Sequence, residues 1–561
     1  MFNLKIIYMT YLLFKRSLIP LSALSVAVSL LLGSCTKKFE EFNTNGYGAS
    51  NQELAADFRI YGDPLVQAQL NIYVSTPAWN TQLQQNLMGD VYSGYMCPPT
   101  PFANNINNVN YGLVDGWNTY PWDDGYNLVM APIAQSLKYS GTRYAEFYAL
   151  GKILRVEAMH RVSDIYGPII YSKYGQVNAD GSVSYDSQKD AYYAFFKDLD
   201  SAISTLTDFS NKASATLPAS IQAFDLAYGN ANTLGNGKLE YRQLVKFANT
   251  LRLRLALRIA KIDPTKAQTE GEAALAHPFG LMQTPGSIAN GGDDFDINIG
   301  TTNHPLNTIN NSWGDIRMGA PLESYLTGYS DGRAAKYVLA ATDAAVAGKI
   351  KGIRQGVNID AKGRYGGYSQ LVTFANQIQL MTAAEAWFLK AEAGLRGWAG
   401  AGTVQTDYET GVKTSFAQYG LDATTYLQDA ASTASPYKDP KAITAGQNDI
   451  LTGSQWLSTI TIKWDAAASF DRNLERIITQ KWLAMYPDGQ EAWTEFRRTG
   501  YPRLFPVVIN NSGGTISTTD FIRRINFAQS ERNTNPTAVA AATQLLGGPD
   551  NGGTRLWWDK P

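Results

Sequence analysis

Asp190-Ala191-Tyr192-Tyr193-Ala194-Phe195-Phe196-Lys197-Asp198-Leu199-Asp200-Ser201-Ala202-Ile203-Ser204-Thr205-Leu206 decides the class of this fold. Tyr192, Phe195, Phe196, Leu199, Ala202, Ile203 and Leu206 recur at steps of three and four, which lines them along one face of an α-helix. Such a stripe is stable only when packed against another helix. A second stripe occupies 241–262, where Leu244, Phe247, Ala248, Leu251, Leu255 and Ile259 share a face and Pro264 ends the run. Arg252, Arg254, Arg258 and Lys261 fall off that face, so the periodicity assigns them to a solvated surface. Residues 145–166, 380–396, 473–486 and 490–498 add helical segments rich in alanine, whose small side chains let helices approach closely. The pattern predicts a mostly α-helical protein.

Between these helices lie long stretches rich in Gly, Asn, Pro and aromatic residues, at 98–125, 278–319 and 509–519. Loops of that length in a compact protein usually carry function or touch a partner. The 44% hydrophobic, 12% aromatic and 17% charged composition is that of a folded chain.

The N-terminus carries an address. Lys5, Lys15 and Arg16 precede an apolar run at 18–32, shorter than the roughly 20 residues of a membrane-spanning helix, and Leu32-Gly33-Ser34-Cys35 closes it. Small residues before a single cysteine read as a lipoprotein processing site, with residues 1–34 a signal peptide and Cys35 the position of lipidation. A diacylglycerol and palmitate anchor is lasting, because each buried CH₂ contributes about 0.8 kcal/mol. Residues 35–50 read as a flexible tether and 51–561 as one helical domain. Removing the three cations of 1–34, a segment without acids, lowers the formal charge from −1 to −4, which gives no electrostatic case for nucleic acid. Cys97 is the other cysteine, so no intramolecular disulfide remains once Cys35 is acylated.

Several chemistries find no motif. His160, His277 and His304 are scattered singly, so no transition-metal site is expected. Gly235-Asn236-Gly237-Lys238 reads as a turn, because Asn232 stands where a phosphate loop has its first Gly and Leu239 where it has Ser or Thr. Asp293, Asp294 and Asp296 resemble a calcium loop, yet Ile299 replaces its Gly and no Glu closes it. They are the candidate for a structural calcium ion in a chain otherwise expected to need no metal or cofactor. Nothing selects a carboxylate pair for glycoside hydrolysis.

The loops do hold aromatic rings beside amides, at Trp79-Asn80, Tyr92, Tyr95, Trp117-Asn118, Tyr120, Trp122 and Asn310-Asn311-Ser312-Trp313. Exposed rings are platforms for the apolar faces of a ligand, while amides fix hydroxyl or peptide groups. Trp117, Tyr120, Trp122 and Trp313 are the expected stacking residues, with Asn118 and Asn311 as hydrogen-bonding partners. Gly116 and Pro121 argue against a helix there.

The block running from Asn473-Leu474-Glu475-Arg476 through Gln480-Lys481-Trp482 and Tyr486-Pro487-Asp488-Gly489-Gln490-Glu491-Ala492-Trp493 to Arg497-Arg498-Thr499-Gly500-Tyr501-Pro502-Arg503 resembles the SusD/RagB family, in its SusD-like branch. Asp164-Ile165-Tyr166-Gly167-Pro168, residues 382–393, Arg523-Arg524, Asn535-Pro536 and Leu556-Trp557-Trp558-Asp559 are similar to the same branch, so the resemblance spans the chain. It implies tetratricopeptide-like helical pairs supporting a loop-rich ligand region, although no repeat of about 34 residues is evident. It also implies an outer-membrane lipoprotein that passes glycan, or in some members peptide, unchanged to a SusC-like TonB-dependent β-barrel. Glu40-Glu41 looks like the family's surface-export signal, which implies a protein facing the cell exterior. Two other readings stay open at this point: a structural transporter subunit without its own ligand, and a surface glycoside hydrolase.

Overall fold

A computed structural model describes residues 51–561 apart from 142 and 230–236. The signal peptide, Cys35, the 35–50 tether and most of the Gly235-Asn236-Gly237-Lys238 turn lie outside the described residues. Two compact units divide the chain, Met1–Ile60 and Tyr61–Pro561. The described part of the first holds a helix at Asn51–Ala56.

The second unit is built on helices α1 (Ala131–Ser140), α2 (Ala145–Tyr166), α3 (Gln188–Lys212), α4 (Gly237–Arg258), α5 (Pro264–Leu275), α6 (Ala383–Leu395), α7 (Val404–Ala417), α8 (Phe470–Ala484), α9 (Gly489–Thr499) and α10 (Pro536–Leu546). Strands are short: β1 (Met96–Cys97) pairs antiparallel with β3 (Arg317–Met318), and β2 (Phe295–Asn298) with β4 (Gln377–Met381). No helix among the described residues is long and apolar enough to cross a membrane.

Local chemistry sets the helix starts. Ser187 accepts a hydrogen bond from the Asp190 amide at 3.1 Å to cap α3, and Thr382 does the same for Glu385 at 3.2 Å in α6. Pro264 corrects the sequence reading: α4 already ends at Arg258, and Pro264 occupies the first turn of α5, where its missing N–H costs nothing. The predicted helix at 380–396 begins at Ala383, because Leu380 and Met381 belong to β4.

Successive helices pack in pairs: α2 on α3, α3 on α4, α4 on α5, and α6 on α7, with α8 closing on α6. Phe388, Tyr408, Val412, Phe416 and Ile477 form the core of the α6, α7 and α8 group. Glycine permits the approach, since a Cβ on Gly411 of α7 would stand 2.9 Å from the Phe388 ring.

Charge, as well as apolar surface, joins these pairs. Arg254 and Arg258 of α4 are buried, contrary to the solvated face expected of them. Arg254 donates to both Glu385 oxygens at 2.8 and 2.7 Å. Arg258 donates to Asp164 at 2.6 Å and to Glu491. Arg161 grips Asp488 with two bonds of 2.8 Å, and Arg498 grips Glu392 at 2.7 and 2.6 Å. Burial alone raises a carboxyl, but Arg498 and Arg396 hold Glu392 down at about 2. These pairs tie α2, α4, α6 and α9 into one frame. His160, Asp164 and Glu491 bring ligand atoms within 4.8 Å of one another, but Arg258 already supplies the cation between the two acids.

Candidate functional site

Beside this frame the chain forms short helical segments instead of long ones. Residues Ala78–Thr81 run into a π-helical turn at Gln82–Asn86; Asp115–Asn118 and Tyr120–Asp124 run into a second at Gly125–Met130; Pro305–Asn307 runs into a third at Thr308–Ser312. π-Helical turns are rare and concentrate at functional sites. The segments touch: Ala78–Thr81 packs on Pro305–Asn307 and Thr308–Ser312, and Asp115–Asn118 packs on Gln82–Asn86.

Aromatic side chains project from these segments. Trp79 is 48% exposed and meets the half-buried Tyr120 ring edge-on, with centroids 5.7 Å apart. Half-buried Trp117 meets Phe102 edge-on at 6.0 Å. Trp313 is 36% exposed, and its carbonyl accepts from Lys362 Nζ at 2.5 Å. Lys362 also pairs with Asp315 at 2.5 Å, and Asp315 accepts from the Thr100 hydroxyl at 2.5 Å, so the Phe102 loop and the Trp313 turn share one charged joint. With that pair neutralised, the face offers apolar rings beside polar backbone, suited to an uncharged ligand that presents both.

The Phe102 loop is held under strain. Ala103, Asn104 and Asn105 follow one another at φ 47°, 53° and 61°, a left-handed run costing non-glycine residues about 1–2 kcal/mol each. Amides pin it: Asn107 donates to the Phe102 carbonyl at 2.6 Å, Asn105 to the Ile359 carbonyl at 2.8 Å, and Asn511 to the Asn105 carbonyl at 3.1 Å. Loop asparagines here serve the backbone.

The predicted site residues separate accordingly. Trp117, Tyr120, Asn311 and Trp313 stand on this face, Asn311 exposed and accepting from Asn310 at 2.7 Å. Trp122 does not: it is 2% exposed and lies among Tyr126, Tyr166 and Tyr185, stacked on the last at 5.4 Å. Asn118, also 2% exposed, accepts from Asn108 at 2.9 Å and donates to Asn526 at 3.1 Å, so its amide is spent inside the protein. The expectation of no helix also fails, because Pro121 sits in the first turn of Tyr120–Asp124, a position that tolerates it. That short helix turns Trp122 inward. Tyr92 and Tyr95 are core residues. Phe102 was missed by the sequence reading, although its setting in Pro98-Pro99-Thr100-Pro101-Phe102 marks it as an aromatic in a stiffened loop.

Asp293, Asp294 and Asp296 do not converge as a calcium cage. Asp293 pairs with Lys246 at 3.1 Å and accepts from the Gln283 amide at 2.8 Å. Asp294 accepts from the backbone amides of Ala383 and Gly286, each at 2.6 Å, and burial lifts its carboxyl to about 7 despite them. Asp296 lies on β2 and accepts from Gln377 at 3.2 Å; burial and the nearby Asp294 raise its carboxyl. These acids staple the start of α6 and the β2–β4 ribbon to α4.

Comparison with known proteins places this architecture. The family model described as SusD-like, Susd and RagB outer membrane lipoprotein, matches residues 41–559. A chitin-binding SusD homolog from Flavobacterium johnsoniae is 43% identical, with 90% of this chain and 98% of that one covered at a TM-score of 0.81. A SusD homolog from Bacteroides vulgatus is 35% identical, with 90% and 99% covered at 0.81. A SusD-like protein from Bacteroides thetaiotaomicron is 31% identical, with 89% and 99% covered at 0.80. No curated protein matches the sequence.

Proposed function

Because the chain belongs to the SusD-like family of outer membrane lipoproteins, we propose that it captures a chitin-type oligosaccharide on the aromatic face and delivers it, uncleaved, to a SusC-like TonB-dependent barrel. Residues 1–34 direct export, Cys35 carries the acyl anchor, and Glu40-Glu41 send the protein to the outside of the membrane. The observation that carries this reading is the set of rings Trp79, Phe102, Trp117, Tyr120 and Trp313 on contiguous short elements, two of them among the exposed large side chains. N-Acetylglucosamine units present flat C–H faces that stack on such rings, and acetamides that bond to backbone groups. The 43% identical relative binds chitin, which favours this glycan over others.

The protein acts here by binding and release. Tethering keeps it near its barrel, where the effective concentration set by residues 35–50 favours repeated docking through a weak interface. The test is to incubate the purified protein with chitooligosaccharides. The reading requires saturable binding with every chain length recovered intact by mass spectrometry, and capture of a β-barrel when the lipoprotein is pulled from solubilised outer membrane. Shortened products would make it a hydrolase.

A further inference from the structure

A cleft of about 380 Å³ opens at the C-terminal end of α9, where it meets residues 519–523 and 555–561. Lys261, Arg497, Arg503, Arg523, Arg555 and Lys560 line it, with Asp520 the one acidic side chain in the lining and Pro561 beside them. Two of these cations are compensated. Arg523 donates to Asp559 at 2.7 Å, and Arg555 donates to Asp559 at 2.9 Å and to Asp520.

Of the others, Lys261, Arg497 and Lys560 make no ion pair within 4 Å among the described residues, and Arg503 makes a long one to Glu475. Lys261 Nζ donates to the Lys560 carbonyl at 3.3 Å. Arg503 donates to the Gln455 carbonyl at 2.7 Å, its nearest carboxylate oxygen being that of Glu475 at 3.7 Å. Arg497 is buried under the rim, 3.5 Å over the Trp493 ring, and donates to the carbonyls of Asp164 at 2.6 Å and Arg523 at 2.8 Å. Lys560 is exposed. A concave wall of one sign focuses its field on whatever enters. Partial burial and the nearby Arg498 pull the Lys261 ammonium below the ordinary lysine value, against an opposing pull from Asp559.

One wall of the lining is aromatic, half-buried at Trp456 and buried at Phe496 and Phe521. Phe521 meets Phe496 edge-on at 4.9 Å and Trp456 edge-on at 5.7 Å, and all three line the cleft. A simple inorganic anion would leave that wall unused, whereas a sugar acid uses both.

We propose that this cleft is a second ligand site, which binds a carboxylated sugar unit with its carboxylate between Lys261, Arg503 and Lys560 and its ring against Trp456. Nothing in this assignment depends on the aromatic face described above.

Calorimetric titration of the purified protein with D-glucuronate tests it, with D-glucose and inorganic sulfate as comparators. Glucuronate should bind at least about tenfold more tightly than either, and more weakly as salt is raised from about 0.05 to 0.5 M. Lys261→Gln/Lys560→Gln, which removes two ammonium groups from the cleft, should cost glucuronate at least about tenfold in affinity while chitooligosaccharide binding stays as it was. Conversely, Trp117→Ala/Trp313→Ala should leave glucuronate binding untouched, so either site can fail without the other. Equal affinity for glucose, equal affinity for sulfate, or an undiminished glucuronate affinity in the lysine variant would each overturn the assignment.

Discussion

Arg498→Met removes a guanidinium from the buried frame while keeping most of the aliphatic length. The side chain gives up bonds of 2.7 and 2.6 Å to Glu392 and of 3.0 and 2.6 Å to Glu495. Neither acid is left wholly alone, because Arg396 lies 2.8 Å from Glu392 and Lys481 lies 3.2 Å from Glu495. Holding Glu392 at about 2 instead of 4.5 corresponds to about 3 kcal/mol at neutral pH. Arg396 shares in that shift and remains in the variant, so the figure is an upper bound for the Glu392 part. Breaking a buried pair from one side typically costs about 3–5 kcal/mol, and the expected loss is about 3 kcal/mol. The sign with pH follows from the depressed carboxyl. Its contribution is complete above about 4.5 and is lost as pH falls toward about 2. The gap between wild type and variant is therefore widest at neutral pH and closes on acidification. Urea unfolding followed by tryptophan fluorescence at several pH values measures it. Adding Glu392→Met should restore part of the loss, since the stranded charge is gone. A loss under about 1 kcal/mol at pH 7, or a gap that stays constant to pH 3, would refute the reasoning.

The corrected site makes its own predictions. Trp122→Ala should cost about 3–5 kcal/mol in unfolding experiments as a core truncation, whereas Trp117→Ala should cost less than about 1 kcal/mol. Similar losses for both would mean that the two rings do not differ in burial. Gly411→Leu places side-chain atoms where a Cβ is already 2.9 Å from Phe388, and overpacking should lower stability by about 1–3 kcal/mol, read from the urea midpoint. Ala103→Gly relieves one left-handed residue of the Phe102 loop and should stabilise the protein by about 1 kcal/mol, measured the same way; a loss would show that the loop does not carry this strain.

Helices were legible where an amphipathic stripe is local. The 190–206 pattern became Gln188–Lys212 because every buried position within it repeats within a turn or two. Arg254 and Arg258 were misread because the acids that justify their burial lie far along the chain: Glu385 is 131 residues from Arg254, while Asp164 and Glu491 are 94 and 233 residues from Arg258. A helix periodicity sees an arginine and assigns it to water. Trp117 and Trp122 posed a different difficulty. They sit five residues apart in the same kind of sequence, and which one faces outward is decided by Pro121 starting a short helix and by Tyr126, Tyr166 and Tyr185 closing over Trp122. Asn118 and Asn311 invited the same ligand-binding reading, but Asn118 bonds to Asn108 and Asn526 inside the protein while Asn311 stays exposed, a difference set by partners distant in the chain.

The central claim is that the exposed rings of the short-helix face hold a glycan. Calorimetric titration of chitooligosaccharide into wild type and Trp117→Ala/Trp313→Ala tests it most directly. At about 0.5–1.5 kcal/mol for each lost stacking partner, affinity should fall at least about fivefold, with the urea midpoint little changed. Equal affinity in the two proteins would place the glycan elsewhere and contradict the account.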